Sequence, residues 1–445
     1  MSDLEKYINI QTPVGDVKIE SESLKKFIQD CIDTSKQEDS LKYSNIYSFL
    51  GNKEINQEFK SLEPHKVDSY LYCINAVIDA EYQILDKTDY NTGDENRIPA
   101  VLKEFEYGDI GNHNFIIQGH LFLQHKETNS KIVISFNPYY SESGPHLEIE
   151  GYNLKGDVSL NEFWITVEKY FDSKCPLRNK KIDTKWKFIK YNKTTWDDII
   201  IEDDKKKLID RNIINFIKNM DEYAKRRLPT SRGILLTGPP GTGKTLLCET
   251  IMNTLDCTTI YVSSDKVDKR GDISEVYALA KRFSPSIVII EDIDTLGGLD
   301  RRDGNTHPLF GEFLNCLNGV SSNDGVVTIA TTNYPENLDL ALTDRPGRFD
   351  LKIVMDLPNA RARKYILLKY LEEFDCEDLN INKIVSNTDG LSGAYLREIV
   401  VTSYMISQER GIQINNKILQ ESADSIIEMK NNVNPLQIKN STLYQ

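Results

Sequence analysis

The segment 238-GPPGTGKT-245 decides the fold, because it follows one short aliphatic run and precedes another. The run before it, 233-GILLT-237, has the character of a strand, and the run after it, 246-LLCETIMNTL-255, has that of a helix. The spacing G-x-x-x-x-G-K-T is typical of a loop whose backbone N–H groups surround phosphate oxygens at the positive end of a helix. We expect Lys244 to reach the β- and γ-phosphates of a nucleotide and the Thr245 hydroxyl to bind Mg²⁺. The segment therefore predicts an α/β fold with a nucleoside triphosphate site.

A second segment, 287-IVIIEDID-294, ends an aliphatic strand in adjacent acids. Buried carboxylates are costly unless a cation or a reaction needs them, and open α/β sheets bind ligands at the carboxyl ends of their strands. We therefore expect the strand 286–290 to lie beside the strand that precedes the phosphate loop. The usual order of such a pair is Asp then Glu, and here it is reversed. We interpret Glu291 as the metal-side carboxylate and Asp292 as the base that activates water, while Asp294 is expected to cap the next element.

The reversed order leaves one alternative open. Asp is one methylene shorter than Glu, so the water or the backbone must shift if Asp292 is to act as the base. If neither shifts, the chain is a nucleotide-binding scaffold that does not hydrolyse its ligand.

Residues 196–358 predict a parallel sheet covered on both faces, because near-continuous aliphatic runs alternate with helical patterns. The strand candidates are 233–237, 258–263, 286–290, 326–331 and 351–355. The chain after Pro358 is helical, which predicts a helical lid domain over 359–432. Its helix candidates are 360–373, 392–410 and 418–431, and the tail 433–445 is expected to be loose.

Residues 1–175 predict a separate α+β unit with an antiparallel sheet. The helix candidates are 21–35, 66–86 and 159–173, and the strand candidates are 114–126, 131–140 and 146–152. Ser159 is the candidate N-cap of the third helix, with Glu162 three residues on. The segment 176–195 is rich in Lys and Arg. We interpret it as a basic linker strand packed through Trp186 and Phe188, with a nucleic-acid contact as the alternative.

Further segments, in the expected order, resemble the AAA group of the AAA+ superfamily. The segment 328-TIATTN-333 resembles the strand that ends in the sensor asparagine, which implies that Asn333 orients the lytic water. The segment 338-LDLALTDRPGRFD-350 resembles the region with the arginine fingers. The resemblance implies that Arg345 and Arg348 reach into the site of a neighbouring subunit and stabilise the transition state there.

The resemblance also implies the nucleotide contacts. The segment 390-GLSGAYLRE-398 is similar to the start of the lid, where Gly393 and Ala394 would pack near the adenine and ribose. The segment 196-WDDIII-201, which includes Asp198, would close over the adenine from the other side. The implied contacts in the loop and the first helical turn are Gly238, Pro239, Pro240, Gly241, Thr242, Gly243, Lys244, Thr245 and Leu246. The resemblance covers roughly residues 195–410, about half of the chain.

Within the AAA group, the Glu-Asp order, 310-FGEFLNCLNGV-320 and 331-TTNYPENLDLAL-342 resemble the mitochondrial translocase of the folded Rieske iron–sulfur protein. Mitochondrial members of that family have an N-terminal membrane helix, whereas no apolar run here approaches the ~20 residues that such a helix needs. We therefore expect a soluble relative of this translocase. The loop 264-SDKVDKRGD-272 offers only Val267 where threading motors of the group place an aromatic–hydrophobic pair.

Composition limits the partners and the compartment. The 445 residues have a net charge of −14, which opposes broad binding to nucleic acid or anionic membranes. The seven cysteines include no C-x-x-C pair, which favours reduced thiols in a cytoplasmic setting. The N-terminus lacks the apolar region of a signal peptide. The sequence contains no H-E-x-x-H motif, so a zinc protease is not predicted within it.

Together these observations predict an ATPase that uses ATP and Mg²⁺ and works as a homo-oligomeric ring of six or seven subunits. Protein clients are the expected partners, and the α+β N-terminal domain is the expected receiving tier for them. A nucleotide-gated assembly factor and a nucleic-acid-acting motor are the alternatives.

Overall fold

The two compact units of the chain, Met1–Pro176 and Leu177–Gln445, are built on different sheets. The structure is a computed structural model. It describes residues 7–12, 15–20, 45–51, 53–88, 100–107, 110–141, 144–263, 267, 271–296, 312–313, 315–317, 323–337 and 349–433.

The first unit has eight strands in its described part. They are β1 Tyr7–Thr12, β2 Gly15–Glu20, β3 Ile55–Leu62, β4 Tyr82–Thr88, β5 Val101–Glu106, β6 Asn112–His125, β7 Lys131–Ser141 and β8 Gly144–Leu154. Strands β1 and β2 form a separate antiparallel pair. The others form an antiparallel sheet in the order β3-β8-β7-β6-β4, with β5 paired to β6. The predicted α+β unit with an antiparallel sheet is confirmed.

Two long helices of the first unit pack against each other. They are α1 Pro64–Glu81 and α2 Ser159–Lys174. The rings of Tyr70 and Phe171 stack between them at a centroid distance of 4.6 Å. Residues 45–50 are also helical, and Ile46 and Leu50 pack on Phe122 and neighbouring apolar side chains of the sheet.

Two expectations for the first unit were wrong. The helix predicted over 66–86 ends at Glu81, because Tyr82 begins a strand that pairs with β6 and alternates buried and exposed side chains. Ser159 is not an N-cap but the first residue of its helix, and its N–H donates to Asp157 Oδ1 at 2.8 Å. The helix predicted over 21–35 lies outside the described residues.

The second unit is built on a parallel sheet, as predicted. Its strands are β9 Lys181–Asp183, β10 Arg232–Thr237, β11 Thr258–Val262, β12 Ser286–Ile290, β13 Val326–Thr332 and β14 Leu351–Val354. Their order is β14-β10-β13-β12-β11-β9, and every neighbouring pair is parallel. The strand β9 comes from the basic segment that we interpreted as a linker, and its Ile182 is fully buried.

The strand that ends in the acids does not lie beside the strand of the phosphate loop, contrary to our expectation. Strand β13 lies between β10 and β12 and pairs with both. The residue that follows β13, Asn333, is therefore located between the phosphate loop and the acids, because parallel strands end at the same edge of a sheet.

Helices cover the parallel sheet and continue as the helical C-terminal region. They are α3 Asp203–Ile209, α4 Asn215–Lys218, α5 Met220–Lys225, α6 Lys244–Thr254, α7 Asp272–Arg282, α8 Ile293–Leu296, α9 Ala360–Leu371, α10 Ile381–Asn387, α11 Gly393–Arg410 and α12 Asn416–Val433. A π-helical turn, Asp210–Ile214, joins α3 to α4. The last four helices share one apolar core, and α10 is a helix that the sequence patterns did not predict.

The predicted tail 433–445 lies outside the described residues except for Val433, and the finer domain limits stay a prediction. No helix in the described ranges is both long and apolar enough to cross a bilayer.

Candidate active site

The phosphate loop, residues 238–243, joins β10 to α6 through glycines with positive φ. Gly238 has φ +147°, and a Cβ there would lie 2.1 Å from the carbonyl oxygen of Met355. Gly243, with φ +96°, is the N-cap of α6. Only glycine adopts these conformations at no steric cost. These glycines therefore allow the backbone amides of the loop to surround an anion at the N-terminus of a helix.

Lys244 is buried in this loop and bonds to its carbonyl groups. Its Nζ donates to Gly238 O at 2.7 Å and to Pro239 O at 3.0 Å, and the residue is only 6% exposed. Burial lowers the pKa of Lys244, although the nearby carboxylates of Asp292, Asp294 and Glu291 oppose that shift. The single buried cation of the loop thus faces the acids predicted from the sequence.

Glu291 follows β12 directly and is half-buried. Its N–H donates to Val262 O at 3.1 Å, which continues the ladder between β12 and β11. Its Oε1 atom is buried and has no hydrogen-bond partner among the described residues. Burial and the adjacent Glu291 carboxylate raise the pKa of the Tyr261 hydroxyl above its ordinary value. A buried carboxylate oxygen without a partner fits a cation ligand, because such an atom is costly to leave unpaired.

Asp292 has a left-handed backbone with φ +47°. Its N–H donates to Thr331 Oγ1 at 3.0 Å, and its Oδ1 accepts from Asn333 Nδ2 at 3.0 Å. Burial, together with the charges of Asp294 and Glu291, raises the pKa of the Asp292 carboxyl. The backbone of Asp292 therefore turns out of the extended conformation directly after β12, and Asn333 holds its carboxylate.

Asp294 is not a cap, contrary to our expectation. Helix α8 begins at Ile293, so Asp294 lies inside its first turn. The Oδ1 atom of Asp294 is buried and has no hydrogen-bond partner within the described part of the chain. The residue that precedes the helix is Asp292, whose carbonyl oxygen accepts from both Thr295 N and Thr295 Oγ1.

The start of the lid region rests on the phosphate loop. The N–H of Ala394 donates to Gly241 O at 3.2 Å. A Cβ at Gly241 would lie 2.6 Å from Ser392 Oγ and 2.8 Å from Ala394 Cβ, while a Cβ at Gly393 would lie 3.4 Å from Gly241 O. Two of the residues predicted to contact the nucleotide, Gly393 and Ala394, are thus brought to the loop.

Asp198 is held by groups on both sides. Its Oδ2 accepts from Thr195 N at 2.6 Å and from Thr195 Oγ1 at 2.9 Å, and its Oδ1 lies 2.8 Å from Lys369 Nζ on α9. The Lys369 ammonium and the Thr195 donors lower the pKa of Asp198 to about 2. The carboxylate of Asp198 therefore ties the segment before α3 to the lid region.

The other predicted residues of the loop region differ in exposure. Pro239, Pro240 and Thr245 are exposed at the loop and the first turn of α6, whereas Leu246 is half-buried against the core. Thr242 Oγ1 donates to Pro239 O at 2.9 Å.

Arg345 and Arg348 lie outside the described residues, as does most of the loop 264–272. Val267 of that loop is described and only 6% exposed. The one apolar side chain of the loop is therefore buried.

Sequence reasoning missed two residues with direct contacts to this region, Thr331 and Lys369. Thr331 is the first of two threonines before Asn333, and a hydroxyl at the end of a strand beside acids was the available signal. Lys369 had no signal, because a single lysine on an amphipathic helix is ordinarily a solvated charge.

Residues 234–357 match the model of the "ATPase family associated with various cellular activities (AAA)". Among curated proteins, the chain is 34% identical over 230 residues to "ATP-dependent zinc metalloprotease FtsH 2" of Salinibacter ruber, an alignment that covers 49% of this chain and 33% of that protein. It is 27% identical over 364 residues to "ATP-dependent zinc metalloprotease FTSH 11, chloroplastic/mitochondrial" of Arabidopsis thaliana, and this alignment covers 76% of this chain and 44% of that protein. It is 32% identical over 240 residues to "ATP-dependent zinc metalloprotease YME1L1" of Mus musculus, and this alignment covers 51% of this chain and 33% of that protein.

The chain thus spans between a third and a half of the length of these relatives. The matched family agrees with the predicted AAA resemblance, and the finer resemblance to the Rieske-protein translocase stays a prediction.

Proposed function

We propose that the chain hydrolyses ATP with Mg²⁺ and works as a ring-forming motor that remodels or translocates protein clients, because residues 234–357 match the AAA ATPase family. The single observation that most supports ATP hydrolysis is the hydrogen bond of 3.0 Å from Asn333 Nδ2 to Asp292 Oδ1, at the carboxyl edge of the parallel sheet. It joins the predicted sensor to the predicted base.

In this proposal, the loop amides and Lys244 bind the phosphates, and Leu246 adds a nucleotide contact from the first turn of α6. Gly393, Ala394 and Asp198 lie near the adenine and ribose. Thr245 and Glu291 would hold Mg²⁺, which neutralises charge on the β- and γ-phosphates when bound. The orphaned Oε1 of Glu291 supports that assignment.

Hydrolysis then needs a positioned water molecule. The Asp292 carboxylate accepts a proton from this water molecule while the water oxygen attacks the γ-phosphorus. The bond between the γ-phosphorus and the β–γ bridging oxygen then breaks, which gives ADP and inorganic phosphate. Asn333 fixes the direction of the Asp292 carboxylate. Arg345 and Arg348 of a neighbouring subunit would supply charge to the transition state.

Protein clients are supported by the relatives, whose names describe ATP-dependent proteases. Proteolysis itself is not proposed for these 445 residues, because they contain no H-E-x-x-H motif. The buried Val267 offers no grip for an extended chain, which favours handling of folded clients over threading.

Phosphate release from Mg·ATP tests the proposal. We expect steady turnover by the full chain, and a loss of about 10²-fold or more for Asp292→Asn, because that substitution removes the base. Lys244→Ala should abolish nucleotide binding, whereas Asp292→Asn should retain it.

A wild-type protein that binds ATP and releases no phosphate would instead be a nucleotide-gated scaffold. Stimulation of turnover by DNA or RNA, and not by protein, would favour a nucleic-acid motor.

A further inference from the structure

The left-handed conformation of Asp292 needs a cause. A φ of +47° is uncommon for a residue with a Cβ and persists where the surroundings impose it. The regular pairing of β12 with β13 ends at Ile290 and Ala330, two residue pairs before Asp292. The N–H of Asp292 therefore has no acceptor in the regular ladder of that pair.

Thr331 supplies that acceptor. Its hydroxyl lies 3.0 Å from the N–H of Asp292, and the residue is only 2% exposed. A buried N–H without an acceptor is costly, so this hydroxyl stabilises the turned backbone against the extended one. As a β-branched residue, threonine also restricts its own χ1 angle, which keeps the oxygen directed at one place.

The same strand also fixes the side chain of Asp292. Asn333 directly follows the strand, two residues after Thr331, and its amide donates to Asp292 Oδ1 at 3.0 Å. One strand end thus holds Asp292 at its backbone and at its carboxylate.

We propose that Thr331 is a positioning residue that holds Asp292 in the turned backbone conformation from which its carboxylate serves ATP hydrolysis. The inference rests on the role of Asp292 in the proposed function. It explains how an aspartate, one methylene shorter than glutamate, takes the second place of the acidic pair.

The test compares two valine substitutions in the same strand. Thr331→Val keeps the shape of the side chain and removes the acceptor. Thr328→Val is the matched control, because Thr328 is also 2% exposed and also uses its hydroxyl, at 3.0 Å from the Tyr277 hydroxyl, away from the acids. We expect Thr331→Val to lower kcat about 10- to 100-fold, the size of effect that misplacing a catalytic group by about 1 Å can have. The Kd for ATP should change less than about threefold, and Thr328→Val should keep near-normal kcat.

Two further variants separate positioning from general damage. Thr331→Ser restores the acceptor and should recover most of kcat, whereas Thr331→Ala, which cannot clash, should behave like Thr331→Val. In an Asp292→Asn background, Thr331→Val should cause little additional loss, since it acts only through Asp292. These three results would support the inference.

The inference is overturned if Thr331→Val and Thr331→Ala turn over ATP as fast as Thr328→Val does. It is also overturned if they lose ATP affinity in parallel with kcat, or if their losses multiply with that of Asp292→Asn. A different result, normal turnover by Asp292→Asn itself, would refute the proposed role of the base and leave the ATPase domain intact.

Discussion

Single residues of the phosphate loop are constrained by the lid region as well as by the phosphates they are expected to bind. Gly241 shows this best, because it combines a positive φ of +77° with close neighbours from the start of α11. Its missing Cβ is the space that Ser392 and Ala394 occupy. A substitution there acts at two levels, on the backbone of the loop and on the seating of the lid region.

We predict that Gly241→Ala weakens ATP binding at least about tenfold, because the new Cβ would lie within 2.8 Å of both lid residues. Gly390→Ala is the matched control. Its φ is +72°, and the nearest heavy atom to the added Cβ is Lys430 Nζ at 3.9 Å. Both variants should lose about 1 kcal/mol of folding stability from the backbone conformation. Equilibrium binding of a fluorescent ATP analogue measures the difference, and equal affinities for the two variants would contradict the prediction.

Between elements, the contact of Lys369 on α9 with the segment before α3 stands out. Lys369 Nζ lies 2.8 Å from Asp198 Oδ1 and donates to Asp197 O at 2.6 Å. Because both partners are about a third exposed, the pair itself contributes below about 1 kcal/mol. Its importance is geometric, since it joins the segment that is expected to close over the adenine to the first helix of the lid region.

We predict that Lys369→Met lowers the thermal stability slightly at pH 7, and that this loss shrinks as the pH falls towards 2. The folded-state pKa of Asp198, about 2, lies below the ordinary value near 4. The stabilisation is therefore present above the ordinary value and is lost as the pH falls through the folded value. Melting temperatures of Lys369→Met and wild type across this range measure the effect.

Lys364→Met is the control for that experiment. Lys364 lies on the same helix and contacts the neutral Asn382 Oδ1 at 2.9 Å, so its small effect should not depend on the titration of a carboxyl partner. A pH-independent loss in Lys369→Met would show that its contact with the carbonyl of Asp197, and not the ion pair, is the stabilising one.

For the whole molecule, sequence patterns predicted the type of the two large sheets better than the order of their strands. The aliphatic runs marked five of the six parallel strands within one or two residues. Nothing in their composition indicated that β13 lies between β10 and β12, because strand order depends on how crossovers pack. The sequence patterns did not predict the strand β9, because its three residues are too few to show a strand periodicity. The left-handed φ of Asp292 is a backbone conformation that the sequence patterns did not predict.

Ring assembly is a property of the whole molecule, and mixing two inactive variants of the chain tests it. Lys244→Ala removes the phosphate-binding cation and keeps the arginines, whereas the double variant Arg345→Ala/Arg348→Ala keeps its own site and lacks them. Each preparation alone should be inactive. We predict that mixing them restores part of the phosphate release, because some interfaces then join an intact site to intact arginines. An inactive mixture, with both proteins shown to exchange subunits, would mean that the arginines do not act between subunits.

The strand β9 has a practical consequence for anyone who wishes to excise the ATPase. Its backbone covers the outer edge of β11, and Lys181 Nζ also binds the carbonyl groups of Leu255 at 2.7 Å and Cys257 at 2.8 Å. A gene fragment that begins at residue 196, where the resemblance to the AAA group starts, would lack β9. The edge of β11 would then expose unpaired backbone groups that can pair with strands of other chains. Such a fragment would be prone to aggregate in the expression host for reasons unrelated to its catalytic centre, whereas one that begins at Leu177 retains its own edge.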